Sequence, residues 1–288
     1  MSTNMIDANA TPGKTGKISV LTPEWPAPQQ IHAFTTLRTG GVSKGPYSSL
    51  NLGHHVGDDP EAISENWGLL RKQAQLPNLP MLMSQVHGKT VLKAETAKFG
   101  EAADAIYTET PHQICTVLTG DCLPILLCDK QGQRVAAVHA GWRGLAIGVL
   151  DACLSAWRVP IQETLVWLGP AIGPQGFIVK ADVLALFQDG GFEINESTFK
   201  PVLKDEVSSM RLNEAKQDNA ETNAETQDQY WRGNLYALAE QRLQVLGLPK
   251  ANLFGGGRCT YTEANHFYSF RRDKITGRMA SMIWIAAS

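Results

Sequence analysis

The chain has 288 residues, 43% of them hydrophobic, and a formal net charge of −2. That apolar content can bury a full core without a metal or disulfides as staples. Charge is nearly balanced and not blocked, which gives no electrostatic footprint for nucleic acid or a membrane surface, and no apolar run reaches the length of a bilayer span.

Residues 1–16 are polar and small and lack the apolar stretch of a secretory signal. They read as a disordered tail on a cytoplasmic protein, with residues 17–288 forming one folded domain. Residues 31–38 read as a strand leading into the glycine turn Gly40-Gly41, and 53–59 as a polar loop. A helix follows, with Asp59 as N-cap, Pro60 in its first turn, and Ile63, Trp67, Leu70 and Ala74 along one face up to the stop at Pro77. Short apolar runs at 81–86, 90–94, 114–118, 124–128 and 135–139 predict strands, the last two joined by a turn at Lys130-Gln131-Gly132. Ile147, Leu150, Leu154 and Trp157 then form a helical stripe ahead of Pro160. Further strands are expected at 165–168 and 177–179. A late helix carries Tyr236, Ala239, Leu243 and Leu246 and closes at Gly247, and a terminal strand spans 279–286. The polar, repetitive stretch 213–229 reads as a mobile loop or an extended helix start. Strands and helices mix without a strict βαβ rhythm, so the expected class is α+β: a single-domain sandwich around a large mixed sheet.

The five cysteines are odd in number and contain no CxxC pair, which fits a reducing compartment. Cys115, Cys128 and Cys153 lie in apolar runs and read as small buried hydrophobes, while Cys259 follows Gly255-Gly256-Gly257-Arg258 and is not placed. Three residues stand apart: His87 in Ser84-Gln85-Val86-His87-Gly88, Cys122 in Gly120-Asp121-Cys122-Leu123-Pro124, and His139 in His139-Ala140-Gly141-Trp142-Arg143-Gly144. Each ends or follows a predicted strand beside glycine. Two imidazoles and one thiolate make a divalent-metal set one short of four, the pattern of a catalytic site that keeps a position open. Taken singly, each histidine reads equally as a hydrogen-bonded structural residue, and the spacing matches no finger pattern. Arg143, at the start of a predicted helix, and Arg38, before Gly40-Gly41, are candidate anion binders, with a surface ion pair as the plainer reading of each. Asp121 either orients a metal ligand or satisfies a turn. His54 and His55 are solvated loop residues or cover a pocket, Gly255-Gly256-Gly257 is neither GxGxxG nor a P-loop, and Arg271-Arg272-Asp273 reads as an ion-pair turn.

Several separated motifs occur in one order: Ser49-Leu50-Asn51-Leu52-Gly53 through His55-Val56-Gly57-Asp58, the three segments around His87, Cys122 and His139, Gly169-Pro170-Ala171-Ile172-Gly173-Pro174, and the tail from Phe267 to Ala280. Over about residues 33–285 the chain resembles the YfiH/PgeF-like proteins, also called laccase-domain or polyphenol-oxidase-like proteins. The resemblance implies an αβ sandwich around a large mixed sheet and a catalytic zinc on His87, Cys122 and His139. It also implies purine nucleoside phosphorolysis of adenosine, inosine or S-methyl-5'-thioadenosine, with adenosine deamination as a linked activity. On that reading Cys122, His139 and Arg143 carry the chemistry, Arg38 and Arg143 contact phosphate, and Asn51, His55, Gln85 and Asp121 are substrate or ligand-orienting positions. The partners are nucleoside and inorganic phosphate, and the chain acts as a monomer. Two departures stand out: Gly120 where family members often carry alanine, and Gln175-Gly176-Phe177 in place of a tyrosine-glutamate pair. The usual zinc deaminase signature is absent, so deamination would use a different scaffold.

Two rival functions stay open. One is a peptidoglycan-precursor editing hydrolase that removes misincorporated L-serine from a muramic-acid nucleotide, with Cys122 as nucleophile and His139 as base. The other is weak copper-dependent polyphenol oxidation in vitro. Seven histidines in all leave too few, after two are placed at the His87–His139 centre, for the trinuclear cluster of a true laccase.

Overall fold

A computed structural model of the protein describes residues 16–202, 206 and 229–287. All of the expected tail except Gly16, and all of the polar stretch except Gln229, lie outside the described residues. The chain begins with β1 (Val20–Leu21) and β2 (Ile31–Thr36), then α1 (Pro60–Gln73), β3 (Val91–Lys93) and β4 (Ala105–Thr108). β5 (Cys115–Thr119), β6 (Leu123–Asp129) and β7 (Val135–Ala140) follow, then α2 (Trp142–Ala146), α3 (Val149–Trp157) and β8 (Thr164–Leu168). Next come β9 (Ile178–Lys180), α4 (Ala181–Asp189), β10 (Phe199–Val202), β11 (Tyr230–Gly233) and α5 (Leu235–Val245). β12 (Leu253–Gly255), α6 (Phe270–Asp273) and β13 (Met279–Ile285) complete it.

The expected mixed sheet is the six-stranded one, ordered β12-β8-β6-β7-β4-β3, with parallel pairs at both edges and antiparallel pairs between. A four-stranded antiparallel sheet, β1-β2-β13-β5, stacks on it, and a small sheet, β10-β11-β9, lies apart. The central strands are buried on both faces, so they read as continuous apolar runs rather than alternating ones. Their parity still sorts the side chains. Leu123, Ile125 and Leu127 of β6 join Ala136 and Val138 of β7 in a core shared with α2, α3, α4 and α5. Leu126, Cys128, Val135 and Ala137 face the other way, onto Cys115, Val117, Ile283 and Ile285 of the four-stranded sheet. The far side of that sheet, with Phe34, Leu118, Met282 and Trp284, is covered by Leu70 of α1. The layers are therefore helix, sheet, sheet, helices.

α1 starts as expected, with Asp59 Oδ1 accepting from Glu61 N at 3.0 Å and Pro60 in the first turn. Its buried face holds Ile63 and Leu70 but also Asn66. The Asn66 side chain clasps the loop beside it, accepting from Val42 N and donating to Ser43 Oγ and Asn51 O. The turn between β6 and β7 is organised by Asp129, whose Oδ1 accepts from Gln133 N at 2.7 Å and Arg134 N at 2.9 Å.

Two expectations are corrected. The helix after Arg143 is not continuous: Gly148 adopts φ 95° and divides α2 from α3, which leaves Ile147 39% exposed rather than in the core. Residues 81–86 form no strand; Met81 and Ser84 make only isolated bridges, to Cys115 and Ala102, because the segment turns away toward His87. Cys115, Cys128 and Cys153 are fully buried, and burial pushes each thiol up, Cys153 to about 12.

Leu126 is fully buried between the two sheets. Leu126→Ala is expected to lower unfolding stability by about 2–5 kcal/mol, read from urea denaturation, through lost transfer energy and a residual cavity. A loss within about 0.5 kcal/mol, the range of a surface change, would contradict the stacked-sheet core.

Candidate metal centre

β5 and β6 are joined by the turn Gly120-Asp121-Cys122. The partner of β6 is β7, with Pro124 opposite His139. This pairing brings Cys122 and His139 to the same end of the sheet. His139 shares the parity of Val135 and Ala137, so it enters from the side between the sheets, where it is only 3% exposed. His87 comes from the loop after residue 84, in a left-handed conformation with φ 57°. One ligand atom from each of His87, Cys122 and His139 lies within 4.8 Å of the others. The two imidazole rings meet edge to face, with centroids 4.9 Å apart.

Asp104 holds this arrangement, and the sequence reading did not single it out. Its fully buried carboxylate accepts from His87 N at 2.9 Å, Gly88 N at 2.6 Å and Val86 N at 3.3 Å. Asp104 Oδ1 also lies 2.8 Å from His139 Nδ1, and His139 N donates to Asp104 O at 2.7 Å. A carboxylate on Nδ1 fixes the tautomer and turns Nε2 toward a ligand, the usual outer support of a metal-binding histidine. The available signal was an acidic residue set in an apolar run, Ala102-Ala103-Asp104-Ala105-Ile106. Burial would raise the Asp104 carboxyl, but His139 and the Gly88 and His87 N–H groups hold it below its ordinary value.

Electrostatics ties the cysteine to the same network. Burial pushes the Cys122 thiol up, but the charge and hydrogen bond of His139, with a further bond from His87, hold it well below the usual thiol range. His139 moves the opposite way: burial lowers it, and Cys122 and Asp104 raise it more. The two opposite shifts favour a thiolate paired with an imidazolium. Gly141 completes the fit. A Cβ there would overlap His87 Nδ1 and sit 3.2 Å from Cys122 Sγ, so only glycine leaves the three donors free to converge. A soft donor, two imidazoles, a buried carboxylate behind one of them and a cleared backbone together fit a transition-metal ion.

The cluster lies in the wall of a cavity of about 430 Å³, within the roughly 300–1,000 Å³ typical of small-molecule sites. Trp142, Ile172, Phe177, Leu235 and Phe270 form an apolar wall, and Arg278, Arg271 and His55 add polar groups. Gln85 lines it as well, but its amide is clasped to β5: Nε2 donates to Leu118 O and Oε1 accepts from Leu118 N, both at 2.7 Å. Asp121 also lines it, with its side chain engaged elsewhere: Oδ1 accepts from Thr260 Oγ1 and Oδ2 from Arg271 N, both at 2.6 Å. Both oxygens thus tie the β5–β6 turn to the segments around residues 260 and 271.

The expected phosphate contacts are not brought here. Arg38 donates Nε and Nη2 to Ser48 O and Nη1 to Ala264 O, stacks on Tyr268, and does not line the cavity. Arg143 is exposed over the Trp142 ring and also lies outside the lining, and its helix has only five residues, too short for a strong terminal dipole. Asn51 is fully buried and accepts from Arg278 N at 2.9 Å. Gly255-Gly256-Gly257 is a packing device: all three have positive φ, and a Cβ at Gly255 would overlap Leu168 O.

A family model described as a multi-copper polyphenol oxidoreductase laccase matches residues 32–286. The chain belongs to this family. The purine nucleoside phosphorylase YfiH of Escherichia coli K12 is 42% identical over 267 residues, covering 92% of this chain and 98% of that protein. A purine nucleoside phosphorylase of Haemophilus influenzae is 40% identical, with 93% and 99% covered. Among solved structures, a Neisseria meningitidis protein aligns at 39% identity with a TM-score of 0.75, covering 93% of this chain and 99% of that one. YlmD from Geobacillus stearothermophilus aligns at 26% identity with a TM-score of 0.77, over 93% and 96%. Among the described residues, no helix is long and apolar enough to cross a membrane.

Two expected outcomes follow from the cluster. Asp104→Asn should keep the shape but weaken zinc affinity by about 10–100-fold in a chelator competition, as loss of an outer-shell carboxylate does elsewhere. Unchanged affinity would remove Asp104 from the centre. The second concerns pH. His139 is raised and must give up its proton to ligate, while the Cys122 thiol is lowered toward the thiolate. Zinc binding at pH 7 should therefore release about one proton per ion, and affinity should rise with pH until His139 deprotonates unaided. Titration in buffers of different ionisation enthalpy measures this; no proton release would contradict the thiolate–imidazolium pair.

Proposed function

We propose that the protein is a zinc-dependent purine nucleoside phosphorylase acting on adenosine, inosine and S-methyl-5'-thioadenosine, with a linked adenosine deaminase activity. The observation that carries this reading is the His87–Cys122–His139 cluster in the wall of a nucleoside-sized cavity. It occurs in a chain that matches relatives named purine nucleoside phosphorylase over nearly its whole length. In phosphorolysis a phosphate oxygen forms a bond to the sugar carbon as the bond to the purine nitrogen breaks, and the base leaves with a proton. Trp142, Phe177 and Phe270 offer flat apolar surfaces for a purine, and exclusion of water by that wall favours phosphate over hydrolysis. Bound at the three donors, zinc would supply Lewis acidity to a substrate heteroatom. Asp104 holds His139 in one tautomer, and Gln85 fixes the loop that carries His87.

One observation favours the editing hydrolase. Cys122, His139 and Asp104 also form the order of a nucleophile, base and orienting carboxylate, with the thiol already shifted toward thiolate. Against it stands His87: a nucleophile pair needs one base, and a second imidazole on the same sulfur suits an ion shared by all three. Metal content of the protein and of Cys122→Ala separates the two, together with product analysis. The phosphorylase reading expects about one zinc per chain, lost in the variant, and base release from inosine that requires phosphate. Metal-free protein that releases free serine from a muramic-acid nucleotide would replace it with the hydrolase.

A further inference from the structure

Among the described residues Arg278 makes no ion pair, and its guanidinium lies 5.8 Å from the centre of the Phe270 ring. Its Nη1 donates to Thr276 O at 3.1 Å and to Gly277 O at 3.0 Å. Among the described residues its Nε and Nη2 have no hydrogen-bond partner and no ion pair. Those two nitrogens form one edge of the guanidinium, the fork that grips a carboxylate or phosphate with two parallel bonds. Elsewhere in this chain that same edge is closed: Arg242 on Asp151, Arg258 on Glu263 and Arg272 on Asp273. Like those three Arg278 is half-buried; it differs from them in lining the metal-cluster cavity. Neither open nitrogen is among the fully buried polar atoms left without a partner, so both stay within reach of an incoming molecule.

The surrounding structure holds this side chain in place. Its stem lies in a slot between two glycines: a Cβ on Gly53 would come within 2.7 Å of Arg278 Cγ, and one on Gly120 within 3.3 Å of Cδ. Asn51 Oδ1 accepts from both Gly53 N and Arg278 N, at 2.9 Å each, while Asn51 Nδ2 donates to Asp58 Oδ2 at 3.0 Å. The stretch from Asn51 to Asp58 is thus a cradle that fixes the backbone and stem of Arg278. Burial disfavours the Arg278 cation, and the fields of Cys122 and Asp121 offset part of that cost without closing its Nε–Nη2 edge, which leaves the edge to a ligand.

We propose that Arg278 binds the phosphate substrate, its Nε–Nη2 fork taking two phosphate oxygens beside the metal cluster, with Asn51 as its positioning residue. The identity of the anion rests on the phosphorylase reading; the anion site itself does not. The experiment is calorimetric titration of inorganic phosphate into zinc-loaded protein, alongside R278Q, R278K, R38Q and R143Q, with zinc content and inosine binding measured on each. R278Q is expected to weaken phosphate binding by at least about tenfold, the scale of a lost charged hydrogen-bond pair. Zinc content and inosine binding should stay near the parent, and R278K should recover part of the loss as a point charge without the fork. Phosphate binding unchanged in R278Q, or lost only in R38Q or R143Q, would overturn the assignment. So would a parent protein that binds no phosphate, or a R278Q defect that takes zinc and inosine binding with it and is not relieved in R278K. Phosphate binding that depends on Arg278 in a protein that releases no base from any purine nucleoside would uphold the anion site and remove the phosphorylase reading.

Discussion

One buried carboxylate governs the site. Asp104 accepts three backbone N–H groups of the 86–88 loop and sits against His139 Nδ1. Each contact solves a separate problem. The loop N–H groups are given one common acceptor, which fixes the path of the loop. The left-handed backbone of His87, which costs a non-glycine residue roughly 1–2 kcal/mol, is held by the bond to its own N–H. The tautomer of His139 is set by the same oxygen. Ionised and fully buried, Asp104 would be a large penalty alone; hydrogen bonded on every side, it ties a mobile loop to a rigid strand.

The stacked sheets explain why that tie is rigid. β6 and β7 are buried on both faces, so neither can shift without opening one of two cores. Interiors packed at this density deform little. His139 stands on β7 and Cys122 at the entry to β6, and their spacing is inherited from a ladder of backbone hydrogen bonds rather than from loops. Cys122 stands in the short turn directly before β6, whereas His87 arrives on a longer loop and has support from outside it: Asp104 on its backbone and Gln85 clasped to β5 just before it.

What could be read from the residues divides along range of interaction. Cys122 and His139 were legible because both end apolar strand-like runs beside glycine, and the buried cysteines because their neighbours are apolar. The α1 start was legible from Asp59 and Pro60, a local signal. Asp104 was not, because its meaning depends on contacts with residues far away in sequence that no periodicity reports. Arg278 was quoted within a motif yet given no role, since an open guanidinium edge is defined by what is absent around it. Arg38 was selected for its glycine-rich setting and Arg143 for its place at the start of a predicted helix. At Arg38 those glycines serve backbone packing: a Cβ on Gly41 would overlap Asn66 Oδ1. At Arg143 the helical stripe appeared continuous because Gly148, which breaks it, is tolerated in a helical pattern and its φ is invisible in sequence.

The glycines give the last step of the argument. Gly141 clears space for the converging donors, and Gly53 and Gly120 clear a slot for the Arg278 stem. These are places where an absent Cβ lets a polar group approach backbone, a recurring use of glycine at binding sites. A nucleophile and its base need only each other; they require neither a second imidazole nor a cleared third direction. Three donor atoms within 4.8 Å of one another, with the Arg278 fork lining the same cavity, suit one cation and one anion side by side. That pairing of charges is what the proposed phosphorolysis would call on, a phosphate held beside a metal-binding cluster, and a cysteine triad would have no use for it.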